Sequence, residues 1–137
     1  MKSERGTVTI WILGLCVMLF LLGGISLDLW RAFSERRTLA GAADAAALAG
    51  AGAIDERVFR ESAQVQLDPV EARRRARASL AHQLDVDAMQ NARVEADSEL
   101  VVVEVAGEID FTLLSLADPG DPLEIRVAAT ARPARSP

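Results

Sequence analysis

The stretch Gly6–Leu27, GTVTIWILGLCVMLFLLGGISL, runs 22 residues without a single charge, and its reading decides the fold. At about 1.5 Å of rise per residue, a helix of this length spans roughly 33 Å, enough for the hydrocarbon core of a bilayer. Its polar members are Thr7, Thr9 and Ser26, which form no stripe of the kind a half-buried soluble helix carries. Trp11 near one end and Trp30 beyond the other suit the two interfacial belts. The run therefore predicts a membrane helix. A cleaved signal fits poorly, because the apolar region is too long and Asp28-Leu29-Trp30-Arg31 follows it instead of a small-residue cleavage site. Cys16 follows Leu15 and has eleven apolar-run residues after it, so it reads as a lipid-facing or packing residue and not as a lipidation site.

Outward from this run, the chain of 137 residues is 50% hydrophobic but has only two Trp, four Phe and no Tyr. Removing the anchor leaves too few large apolar residues for a sizeable core, so the expected plan is one anchor carrying a modest head. The net charge of −5 argues against a nucleic-acid partner. A single cysteine excludes an intrachain disulfide. Lys2 and Arg5 on one flank against Arg31, Arg36 and Arg37 on the other slightly favour a cytoplasmic C-terminus, by a margin too small to settle orientation.

The next stretch, 28–53, contains no proline, and between Ala40 and Ala53 it holds nine alanines and three glycines. Alanine is the strongest helix former, so the membrane helix is expected to continue to about residue 49, where Gly50 and Gly52 stop it. Such a surface permits close approach of another helix, and Ala42, Ala46, Ala49 and Gly50 are the candidate packing residues. Asp28 and Arg31, three apart at the end of the apolar run, form a candidate interfacial charge pair.

Residues 54–66 read as a short helix or irregular connector. Asp68 then suits an N-cap, Pro69 the first helical position and Glu71 the third position of a capping box, opening an amphipathic helix over about 69–84. Beyond it the period changes to two. Val94 and Ala96 suggest a short strand; Val103, Val105, Ile109 and Phe111 alternate with polar residues; so do Leu123, Ile125, Val127, Ala129 and Ala131. The cluster Asp118-Pro119-Gly120-Asp121-Pro122 reads as the turn between the last two. The expected fold is α+β and membrane-anchored: a long N-terminal transmembrane helix extending outward, a short amphipathic helix, then a small antiparallel sheet of about three strands, pilin-like, with one face on the helix and the other wet and charged. The boundaries are 1–5 for the n-region, 6–27 for the span, 28–53 for the small-residue extension, 54–132 for the head and 133–137 for a frayed tail.

No catalytic constellation emerges. His82 has no second His or Cys beside it, no serine occupies a nucleophile elbow, and the glycines form no phosphate loop. Between Asp85 and Glu124, eleven carboxylates face only Arg93, and the spacing of Asp118 and Asp121 matches no calcium loop. No cofactor, metal, nucleic acid or small-molecule substrate is expected. Residues 57–77 are net basic, and complementation of this helix with the acidic sheet of the same chain is the simpler expectation.

The combination Arg5-Gly6, the apolar helix, Asp28 with Arg31, Arg36-Arg37 and the alanine tract Ala42–Ala49 resembles the N-terminal region of TadE/TadG-like proteins of the Flp (tight-adherence) pilus system. The resemblance covers residues 5–53. It implies a single-pass protein of the cell membrane with a cytoplasmic N-terminus and an extracytoplasmic head, acting as a pseudopilin-like component. Its implied partners are membrane lipid, other pilus or secretion-system membrane proteins, and copies of itself. Prepilin-type members are cut after the glycine preceding the helix and carry a glutamate five residues into the mature chain. Here Gly6 and Thr7 mark that site, but Trp11 stands at the glutamate position. The alternative expectation is a membrane-anchored binding module whose acidic head recognises a basic partner or envelope ligand.

Overall fold

In the computed structural model, the described residues are 4–109, 111 and 123–134. The fold is α+β: a long apolar helix, short helices, then a three-stranded antiparallel sheet. Helix α1 is unbroken over Glu4–Ala51. Two compact units contribute to the chain. One contains α1 as far as Ser34; the other, the head, contains Glu35–Glu108 and the residues from Glu124 onward.

In the head, three short helices follow α1. Helix α2 (Glu56–Ser62) starts at Asp55, whose carboxylate accepts the Arg57 and Val58 amides at 2.9 and 3.2 Å. Helix α3 (Pro69–Ala81) starts where expected, with Asp68 Oδ1 accepting the Val70 and Glu71 amides at 2.9 and 3.1 Å. The reciprocal half of the capping box is absent. The Asp68 amide donates to the Ala53 carbonyl instead, at 2.9 Å, and Glu71 turns forward to Arg74 and Arg75. Helix α3 also ends three residues earlier than its pattern predicts, because His82 to Leu84 close as a turn. A further single-turn helix, α4 (Val86–Gln90), is capped by Asp85 and had no periodic signal long enough to read.

Strands β1 (Arg93–Ala96), β2 (Val101–Ile109) and β3 (Leu123–Ala131) form a sheet in that order. The β1–β2 register pairs Arg93 with Glu104, Val94 with Val103, Glu95 with Val102 and Ala96 with Val101. Their turn is held by Asp97, whose carboxylate accepts the Glu99 and Leu100 amides at 2.7 and 2.9 Å. Strand β2 begins two residues before the alternation suggested, since Val101 and Val102 already pair with β1. The expected turn at 118–122 lies outside the described residues.

The core of the head is built from small side chains. Ala42, Ala43, Ala46 and Ala47 of α1 are buried with Ala72, Ala76 and Leu80 of α3 and with Val94, Val101, Val103 and Val105 of the sheet. Burial alternates along β2, so Val101, Val103 and Val105 face the helices while Val102, Glu104 and Glu108 face outward. Alanine-lined helices pack closely on a sheet, and this lets a short head bury a contiguous core with few large residues.

The segment between α1 and α3 is an excursion tied at its base. The Asp55 amide donates to Gln66 O at 2.8 Å opposite the Asp68–Ala53 bond, and Leu67 N donates to Ser98 O at 2.9 Å on the β1–β2 turn. Ala63 closes α2 with φ of 55°, a left-handed conformation that a Cβ disfavours. Ala63→Gly is therefore expected to stabilise the head by about 0.5–1 kcal/mol, read as a raised thermal midpoint by circular dichroism.

Candidate functional site

The apolar half of α1 turns its large side chains outward. Ile10, Trp11, Leu13, Phe20, Leu21 and Leu22 are all exposed, Phe20 by 82%. The helix is long and apolar enough to cross a membrane. In water this surface would be costly, at about 25 cal/mol per Å² of apolar area. The exposed apolar surface continues past the charge-free run through Leu29, Trp30 and Phe33.

Between residues 7 and 38 of this helix, Asp28 is the buried exception. It is only 2% exposed, while Arg31 is exposed, and each has a polar or electrostatic partner. The burial of Asp28 is not readable from the sequence, because a charge at the end of an apolar run looks like a solvated stop. Thr7 is exposed within α1, and the Gly6–Thr7 bond lies inside that helix, which begins at Glu4.

The small-residue face of α1 is occupied by the chain itself. Ala42 and Ala46 are buried in the head core, and a Cβ at Gly50 would lie 3.0 Å from the Ala72 carbonyl and 3.1 Å from a Val101 methyl. Ala49 is half-buried. At Gly50 this surface approaches both α3 and β2 of the same chain. Residues of α1 that remain open in this region are Gly41, Asp44 and Leu48, with Ala45 and Ala49 half-buried between them. Gly41 has nothing within 4 Å of the position a Cβ would take.

Among the described residues, no ion pair joins the basic helix to the sheet. Among the described residues, the ion pairs of α2, α3 and the sheet join Arg60 to Glu56, Arg74 and Arg75 to Glu71, and Arg126 to Glu124, each within its own element. The reason is topological. Helix α3 turns Ala72, Ala76 and Leu80 to the inner face of the sheet, so its arginines and the outward carboxylates lie on opposite sides of the core. Arg75 also reaches back across the core edge, donating to Gly52 O at 3.1 Å and so satisfying a carbonyl at the end of α1.

Hydrogen bonds from Arg74 and then Arg75 hold the Glu71 carboxyl down at about 2. The Glu99 and Leu100 amides lower that of Asp97 in the same direction. A carboxyl depressed by folding stabilises the fold above its ordinary value, and the contribution disappears as pH falls through the folded value. The stability gap between wild type and Glu71→Gln is thus expected to be full at neutral pH, to narrow below 4.5 and to close near 2. Urea titrations of both proteins across this range check it, and a gap independent of pH would show that the carboxylate charge is not responsible.

Among the described residues, no group of three His, Cys, Asp or Glu side chains is placed to hold a metal ion. His82 sits exposed at the end of α3, and Cys16 is exposed on α1. Asp118 and Asp121 lie outside the described residues. A depression of about 890 Å³ lies between α2 and the sheet end and is lined by Phe59, Gln64, Gln66, Ser98 and Arg132 without a nucleophile–base pair.

The matched segment is α1 from Gly6 onward and the two residues after it. Residues 6–53 match the Tad family, described as "Putative Flp pilus-assembly TadE/G-like". This match covers the apolar run, Asp28, Arg31, the arginine pair and the alanine tract, and it leaves α2, α3, α4 and the sheet outside. Comparison with curated proteins and with solved structures found no match. The Tad match points to a component of Flp pilus assembly with a candidate N-terminal membrane helix.

Proposed function

We propose that this chain is a non-enzymatic, single-pass, pseudopilin-like component of a Flp-type pilus assembly or an associated secretion apparatus. Its N-terminus would be cytoplasmic and its α+β head extracytoplasmic. One observation carries this reading: the Tad match coincides with the helix whose large apolar side chains from Val8 to Phe33 are all turned outward. The Tad family is non-catalytic in general, which agrees with a packing role for the chain.

The mechanism is lateral packing of α1. Its span is solvated by lipid, and in the region of the head the strip Gly41, Ala45, Leu48 and Ala49 repeats every three or four residues, the spacing by which small side chains admit a neighbouring helix. Ala42, Ala46 and Gly50 support that strip from behind by fixing α1 to the head. In cells expressing the whole assembly locus, Gly41→Leu and Leu48→Arg are expected to abolish pili while the chain stays in the membrane fraction. Normal piliation with both variants would overturn the reading. A reporter fused after residue 137 tests the orientation independently, and activity on the cytoplasmic side would reverse it.

A further inference from the structure

We propose that lipid covers α1 as far as Phe33, beyond the end of the charge-free run, with Trp30 and Phe33 at the bilayer interface and Asp28 on the hydrocarbon side of them. The inference rests on the reading of α1 as a membrane span and adds where that span leaves the bilayer. Its basis is an inverted pattern of exposure over residues 27–33. Asp28 is buried, whereas Leu27, Leu29, Trp30 and Phe33 are exposed, Trp30 by 67% and Phe33 by 65%. In water the opposite arrangement is favoured, because exposed apolar area costs about 25 cal/mol per Å² and a covered carboxylate loses its hydration. Lipid reverses both preferences. Acyl chains are as apolar as the side chains they touch, and a carboxylate turned towards them is penalised by about 3 kcal/mol.

The surroundings of Asp28 agree. It is the first charged residue after Arg5, it is turned away from the surface, and it has a polar or electrostatic partner. Arg31, less than one turn further on, is exposed. Its long stem can lie along apolar surface while the guanidinium stays among lipid phosphates. The spacing of the indoles gives the same boundary. Trp11 and Trp30 are both exposed on the unbroken helix, and the rise between them is about 28 Å. That matches a hydrocarbon core of about 30 Å, so the two rings reach the two interfaces together, where an indole finds both apolar contact and a hydrogen-bond partner. A core bounded by Gly6 and Leu27 would instead set Trp11 about 7–8 Å inside it and leave Phe33 about 9 Å beyond it. The covering molecule is lipid because this exposed surface is continuous with the span itself.

The test uses the full chain in phosphatidylcholine vesicles whose acyl chains carry bromine at shallow or deep positions, with iodide as the quencher in water. Trp11→Phe leaves Trp30 as the sole indole. Its emission is expected to shift to the blue, to lose more intensity to shallow than to deep bromines, and to resist iodide. Phe33→Trp, in a background of Trp11→Phe with Trp30→Phe, should also lose emission to shallow bromines. Trp30→Phe leaves Trp11 as the control that separates two kinds of failure. If neither lipid quenches Trp11, α1 is not a span, and the membrane reading falls together with this one. If lipid quenches Trp11 but iodide quenches Trp30 as strongly as free indole, only the present proposal is overturned. Protection of Trp30 from bromine and iodide alike overturns it too, because protein and not lipid would then cover the ring. Stronger quenching of Trp30 by deep bromines also overturns it, since the ring would lie in the bilayer interior.

Discussion

Gly50→Leu is expected to prevent the head from packing, and Gly50→Ala to destabilise it by about 1 kcal/mol or more. Alanine for glycine inside a helix is ordinarily worth up to about 1 kcal/mol in its favour. At Gly50 that gain is outweighed, because the new Cβ would stand 3.0 Å from the Ala72 carbonyl and 3.1–3.2 Å from both Val101 methyls. The carbonyl belongs to the α3 backbone, and Val101 is fully buried in the central strand, so neither can move away cheaply. Overpacking of this kind costs about 1–3 kcal/mol for a methyl and more for a branched side chain. Gly41→Ala is the matched comparison. It lies on the same helix in the open, and should stabilise by up to about 1 kcal/mol. Chemical unfolding of the full chain in mild detergent, followed by circular dichroism, measures both; the same sign at both positions would contradict the close approach of α1 to α3.

The second large effect concerns the bilayer. Leu15→Arg places a charge near the middle of the charge-free run, on a side chain 58% exposed in the protein alone. With no protein cover, insertion should be penalised by about 3 kcal/mol. The chain is expected to shift from the carbonate-resistant membrane pellet to the soluble or degraded fraction. Leu48→Arg, on a somewhat more exposed side chain beyond the run, should leave the membrane fraction unchanged. Equal behaviour of the two variants would mean that the anchor is not where the apolar run ends.

Much of the architecture was legible before any coordinates. A charge-free run of this length has one stable form in a bilayer, and alternation in β2 and β3 marks which side chains face inward. The Asp68-Pro69 start of α3 was also visible, because an N-cap acts through its nearest amides and needs no tertiary partner. The fate of Glu71 was less so. The capping box is a local option that competes with Arg74 and Arg75 for the same carboxylate, and two charge-assisted hydrogen bonds win. Helix α4 was invisible for a different reason: one turn is too short to show a period.

The opening run, by itself, determined that this protein has an apolar helix fit to cross a membrane, and the alanine tract determined that the same helix continues and will be approached closely. Both follow from short-range physics, namely the cost of exposing apolar surface and the helix preference of alanine. Only the tertiary structure decided what approaches. An alanine face has the same periodicity whether its partner is a neighbouring chain or a helix later in the same one, so the pattern at Ala42, Ala46 and Gly50 holds no information about which. The answer lies in the turn-back of the chain, where the Asp68–Ala53 and Leu67–Ser98 hydrogen bonds bring α3 and the hairpin onto α1. With that face filled, the strip Gly41, Ala45, Leu48 and Ala49 is the part of the tract left open.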